Sequence, residues 1–178
     1  MDVVVLSHTH GDHIGGLDRL LKENLDLTVY FPATFPMRFG GFLSYAGIKT
    51  VEVNDPAAIC KDVYSTGVPG SWMKEQALMI STDRGVIVIT GCAHPGIVNI
   101  LKTAKELNAD NIMLVMGGFH LGAIRKQQLE GIIITFRKLG VQQVGPCHCK
   151  GELARQTFKQ EYGKDFLDVG VGRLIEFE

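Results

Sequence analysis

The chain has 178 residues, 46% of them hydrophobic, and its 18 basic and 19 acidic side chains leave a formal net charge of −1. That length and composition suit a single globular domain over residues 1–178 with a core of its own, and the charge balance argues against a broad nucleic-acid-binding surface. No apolar run approaches the roughly 20 residues of a membrane span, and a chain that opens directly on a strand instead of a secretion leader is expected in the cytoplasm.

In chain order, the β-branched run Val3-Val4-Val5-Leu6 predicts a buried strand. It delivers Ser7-His8-Thr9-His10-Gly11-Asp12-His13-Ile14-Gly15-Gly16, after which Ile14, Leu17, Leu20 and Leu21 mark the apolar stripe of a helix that begins near Asp12. Leu27 to Phe31 reads as a strand closed by Pro32, and Phe35 to Tyr45 as a loop or short helix. Ile48 to Val53 alternates like a half-buried strand, with Ala58 to Ser65 expected to pair beside it, and Gly67-Val68-Pro69-Gly70 is a turn. Ala77 to Ser81 and Val86 to Thr90 form the strongest hairpin signal.

From Gly91 onward strand and helix alternate. Pro95 suits a first helical turn, with Ile97, Leu101, Ala104 and Leu107 following at helical spacing. Ile112 to Met116 is a buried strand, and Leu129, Ile132, Ile133, Phe136 and Leu139 form the stripe of a helix stopped by Gly140. Val141 to Val144 predicts a strand, Glu152 to Tyr162 a helix ended by Gly163, and Val171 to Phe177 a last strand. Strands first and strand–helix units later imply sheets with helices packed outside.

All six histidines, His8, His10, His13, His94, His120 and His148, follow apolar runs at strand ends, which places them at one edge of a sheet. Within the first cluster the side-chain period of two puts His8 and His10 on one face, while the Asp12–His13 pair points elsewhere, so two adjacent metal sites are expected. Cys92 and His94, in Thr90-Gly91-Cys92-Ala93-His94-Pro95-Gly96, reach the same edge as credible ligands; a buried thiol and a loop or capping histidine are the plainer readings. In Gly145-Pro146-Cys147-His148-Cys149 an extended backbone would turn His148 away from both thiols, which favours His148 as the ligand over a Cys2His knuckle. His120, after the Gly117-Gly118 pair, keeps three readings: ligand, hydrogen-bonding contact to substrate, or loop histidine. The four cysteines are too few and too unevenly spread for a disulfide framework, so reduced thiols are expected.

The stretch from His8 to His13 resembles the H-x-H-x-D-H signature of the metallo-β-lactamase superfamily. Together with Glu75-Gln76-Ala77-Leu78, Thr90-Gly91-Cys92-Ala93-His94-Pro95-Gly96-Ile97-Val98-Asn99, Gly117-Gly118-Phe119-His120-Leu121 and Cys147-His148-Cys149, it is similar to the superfamily's dihydropterin synthase-like branch. That branch is named for a synthase of methanopterin biosynthesis. The resemblance implies an α/β fold, the αββα sandwich, with His8, His10 and His94 on one metal and Asp12, His13 and His148 on the other. Cys92 stands close to where much of the superfamily has a bridging Asp. The signature normally follows several strands, so the resemblance also implies an N-terminally shortened sandwich, with a shortened Val68–Glu75 connection and a homo-oligomer to cover what is exposed.

What the resemblance implies is a hydrolase in which a zinc pair, with iron or manganese as substitutes, lowers the pKa of water toward about 7. Asp12 would orient that water and His120 would touch the substrate. The substrate expected from the family is small, phosphorylated or pterin-like. The rivals are a phosphodiesterase or nuclease, and an inactive metal-binding assembly module.

Overall fold

The structure, a computed structural model, describes residues 1–69, 73–108, 110–149 and 151–176. Two sheets organise it. The first is all parallel, with β1 (Val3–Val5), β2 (Thr28–Pro32) and β3 (Lys49–Val53) in that order. The second runs β4 (Ala57–Cys60), β5 (Val63–Ser65), β6 (Leu78–Thr82), β7 (Gly85–Thr90), β8 (Ile112–Gly117) and β9 (Gln143–Pro146). Its first four strands are antiparallel neighbours, and β7, β8 and β9 are parallel.

Helices α1 (Gly11–Ile14), α2 (Leu17–Glu23) and α3 (Met37–Tyr45) belong to the first sheet. Leu17, Leu21 and Leu43 join Val29 and Phe31 of β2 in one buried cluster. Helices α4 (Ile97–Leu107), α5 (Lys126–Lys138) and α6 (Glu152–Tyr162) cover one face of the larger sheet, where Ile100, Leu101, Leu129, Phe136 and Phe158 pack with Val88, Val115 and Val144. The other face of that sheet carries Ile87, Met113 and Leu114. Gln76 joins the sheets: its Nε2 donates to the Leu6 carbonyl at 2.8 Å while its Oε1 accepts from Ser65 Oγ at 2.6 Å. Among the described residues no helix is long and apolar enough to cross a membrane.

The expected elements recur with instructive departures. The helix after His13 is divided at Gly15-Gly16 into α1 and α2, and the Gly15 N–H still donates to the Gly11 carbonyl at 2.8 Å. Phe35 to Tyr45 resolves into α3, entered from Pro36. Pro95 precedes α4 instead of lying in its first turn, since Gly96 is the capping residue at φ 93°. Ile100 takes the buried place on α4, and Leu107 is exposed.

Two strand expectations are overturned. Ala58 to Ser65 does not pair with β3; it divides into β4 and β5, a hairpin of the larger sheet turned at Asp62, whose φ of 60° an Asp tolerates. Alternation marks a half-buried strand but carries no information on its partner. Val171 to Glu176 contains no strand, and Val171 is fully exposed; Phe177 lies outside the described residues. The edge of β9 is met instead by Phe166, which bridges to Val144, and by Leu167, whose N–H donates to the Val144 carbonyl. The turn expected at Gly67 to Gly70 and the Val68–Glu75 connection are described only in part, since residues 70–72 are not among those described.

Candidate metal centre

The parallel run of β7, β8 and β9 brings the C-terminal ends of three strands to one edge, the place where such sheets present ligand-binding loops. Thr90-Gly91-Cys92-Ala93-His94 leaves β7, Gly118-Phe119-His120 leaves β8, and Cys147-His148-Cys149 leaves β9. The loop after β1 brings His8 to His13 to the same edge, where all six histidines meet. Ring centroids of His8 lie 4.7 Å from His10, 4.2 Å from His13 and 4.6 Å from His94. His13 is 5.0 Å from His148, and His94 is 4.5 Å from His120.

Donor atoms converge in two principal triads. His8, His10 and His94 form one, and Asp12, His13 and His148 the other; within each, the donor atoms lie within 4.8 Å of one another. His8 and His10 lie beyond β1 with a bend at Thr9, so strand alternation does not itself pair them, and His8 also shares a donor group with His13 and Cys92. Cys92 stands between the triads, its Sγ 3.2 Å from His13 Nε2.

The geometry suits a cation. His13 Nε2 and His148 Nε2 face each other at 3.3 Å, the spacing of about 3.3–3.4 Å that two imidazole nitrogens adopt around a tetrahedral ion at a metal–nitrogen distance of about 2.0–2.1 Å. His148 Nε2 is also 3.1 Å from Asp12 Oδ2. His8 is 2% exposed, and its Nε2 has no hydrogen-bond partner among the described protein atoms. A buried nitrogen left in that state costs free energy unless something supplies the missing partner.

Glu75 holds the first triad in place, a role the sequence reading did not assign. It precedes β6, which runs antiparallel to β7, so it lies beside the end of β7. Its Oε1 accepts from the backbone N–H of Cys92 at 2.7 Å and of Ala93 at 2.9 Å, and its Oε2 accepts from the N–H of His94 at 3.0 Å. Oε2 also lies 2.8 Å from His94 Nδ1, which leaves His94 Nε2 to face the site. Burial pushes the Glu75 carboxyl up, but these donors outweigh it and hold the group below the usual carboxylate range. Gly91 has no side chain because Ser7 Oγ and Glu75 Oε1 occupy the space a Cβ would take. Ser7 Oγ in turn lies 3.0 Å from His8 Nδ1.

Electrostatics separates the triads. Burial, joined by His13, His94 and His10, pushes His8 down from 6.5 to about 4 against the opposing pull of Glu75. His13 is lowered by burial, and His120 by burial and by His94 beside it. Asp12 is exposed; its slight desolvation is outweighed by its backbone N–H and by His13 and His148, which hold the carboxyl below its ordinary range. Burial raises the Cys92 thiol, and Cys149 beside it raises it further.

His120 stands next to the first triad with φ 52° but joins neither triad. The expectation that His148 turns away from both neighbouring thiols fails at Cys149, while Cys147 belongs to no donor group among the described residues. Cys149 has φ 43°, so the backbone is not extended there, and its thiol reaches the cluster with Cys92 and His148. No sequence signal specified that bend.

Relatives agree with this architecture. The chain is 28% identical, over 222 aligned residues, to the 7,8-dihydropterin-6-methyl-4-(β-D-ribofuranosyl)-aminobenzene-5′-phosphate synthase of Methanocaldococcus jannaschii, covering 99% of this chain and 76% of the relative. It superposes with a TM-score of 0.83 and 29% identity on Tm1679, described as a metal-dependent hydrolase of the β-lactamase superfamily, over 98% of this chain and 78% of that one. It matches an isothiocyanate hydrolase from Delia radicum gut bacteria at a TM-score of 0.64 and 16% identity, over 99% of this chain and 77% of the other, a likeness of fold. The family model described as the metallo-beta-lactamase superfamily matches residues 1–105. With that match over more than half its length, the chain belongs to the metallo-β-lactamase superfamily.

Proposed function

We propose that the protein is a metal-dependent hydrolase with two cations, zinc by the nature of the ligands, acting on a small phosphorylated or pterin-like molecule. One observation carries this reading: two donor triads abut at a strand edge, and one of them holds a buried imidazole nitrogen without a protein partner. His8, His10 and His94 would hold the first cation, and Asp12, His13 and His148 the second, with Cys92 between them. Bound there, a zinc pair supplies Lewis acidity, acidifying water toward a pKa of about 7 and polarising a carbonyl or phosphoryl oxygen.

The chain's own residues do the rest. Asp12, exposed and kept ionised by His13 and His148, is placed to orient the attacking water. Glu75 fixes the His94 ring, and His120 stands at the edge of the triad where it can donate to a substrate oxygen. Beside Thr9 and Ile14 a cavity of about 610 Å³ is lined by Phe35, Phe39 and Phe42, with Arg38 and Asp18 as its charged groups. Aromatic walls suit a planar ring, and the phosphate named in the Methanocaldococcus relative supports the anionic part of the substrate class. That relative is a synthase, so bond cleavage here rests on the site and on the likeness to Tm1679. A nuclease reading has less support. Arg137 is bonded to the Glu161 carbonyl and stacked 3.8 Å above Tyr162, and Lys126 lies 4.0 Å from Glu130, so neither extends a basic track.

Elemental analysis of protein purified without added metal tests the reading, with His8→Ala and His148→Ala alongside. About two equivalents of zinc, falling in both variants, together with turnover of generic phosphate or ester substrates that His10→Ala abolishes, is the expected result. Metal without any turnover would favour an assembly module.

A further inference from the structure

We propose that Cys149 is a ligand of the second cation together with Cys92 and His148, which makes that position a thiolate site. The proposal rests on the metal-centre reading above but goes beyond the ligands expected for it. The donor atoms of Cys92, His148 and Cys149 all lie within 4.8 Å of one another. This set shares His148 with the Asp12 triad, so the two sets meet at that imidazole.

The local backbone is shaped to bring the Cys149 thiol there. Cys149 has a φ of 43°, a conformation that costs a non-glycine residue free energy and persists only where the surroundings impose it. The surroundings do so: the Cys149 carbonyl accepts from the Leu121 N–H at 3.0 Å, and its Sγ lies 3.6 Å from the Cys92 carbonyl oxygen, to which it donates. Gly118 leaves room for the sulfur, since a Cβ at that position would stand 3.0 Å from Cys149 Sγ and 2.9 Å from Cys92 Cα. The thiol also borders an open cavity of about 630 Å³ lined by His120, Gly122 and Gln128, which provides a route for an ion. Cys147, two residues away, joins no donor group among the described residues.

The chemistry follows from ligand softness. Each S–H gives up its proton to water as its sulfur takes the metal, so loading releases up to two thiol protons. Two thiolates and an imidazole favour zinc or cadmium over manganese or magnesium, whereas the His8 triad is all imidazole and less selective.

Cobalt substitution reads the ligands directly, because thiolate-to-cobalt charge transfer gives a near-ultraviolet band that imidazole and carboxylate do not. With about two equivalents of cobalt bound, the expected result is such a band, falling by roughly half in Cys149→Ser and in Cys92→Ser and unchanged in Cys147→Ser and Cys60→Ser. A wild-type experiment guards against a variant that does not fold: zinc should protect Cys149, but not the exposed Cys60, from alkylation read by peptide mass, Cys92 being buried already. Two equivalents bound with no thiolate band, or with a band and alkylation indifferent to Cys149, would overturn the proposal and leave the two-cation reading standing. Failure to bind any cobalt or zinc would overturn both.

Discussion

The two triads lie side by side yet are built in opposite ways. His8 and His94 are anchored from behind, His94 by Glu75 and His8 by Ser7, with three backbone N–H groups of the β7 loop fastened to the same buried carboxylate. Asp12, on the exposed first turn of α1, and His148, on the loop after β9, have contacts chiefly with one another. Orientation is enforced by the protein in the first triad. In the second it depends on whatever the donors jointly hold. A supported histidine binds with little reorganisation, while an exposed set can accommodate different ions.

The largest expected effect comes from Glu75→Ala. Removing the carboxylate leaves three backbone N–H groups, two of them buried, and His94 Nδ1 without their acceptor, which should cost about 3–5 kcal/mol of stability. Denaturant unfolding measures the cost, and metal analysis should show the first equivalent lost before the second. Equal loss of both would mean that the triads are not separately anchored.

Acid should separate the two regions next. His8 titrates near 4 in the folded protein against 6.5 ordinarily, so between those values the unfolded chain binds the extra proton. Stability of the metal-free protein therefore falls as pH drops from about 6.5 through about 4, and is fully present above 6.5. Denaturation midpoints across that range, compared with His8→Asn, test the assignment; the variant should show a flatter profile.

Asp12→Asn should have the smallest effect on stability, leaving the denaturation midpoint nearly unchanged, because Asp12 is exposed. Its effect belongs to ion affinity at the second position, which should weaken at least as much as the roughly 10–100-fold lost when a supporting partner is removed. Competition with a chromophoric chelator reads that affinity. Unchanged affinity would assign the second ion to His148 and the thiols without Asp12.

The histidine and aspartate donors and their strand-end placement were legible in the sequence because the apolar runs before each histidine are local. So were α6, bounded by Gly151 and Gly163, and the β6–β7 hairpin, whose turn Thr82 and Gly85 close at 2.7 Å. Tertiary structure decided what depends on partners distant in sequence. Ala57 to Ser65 joined the larger sheet, Phe166 and Leu167 took the edge expected for Val171 to Phe177, and Glu75 met residues 17 to 19 positions away. Cys149 illustrates the division: its neighbours in sequence imply an extended strand end, whereas contacts with Leu121, Gly118 and Cys92 bend it into the left-handed region. Local pattern sets which face a residue takes, but the close approach of separate loops determines which donors share a site.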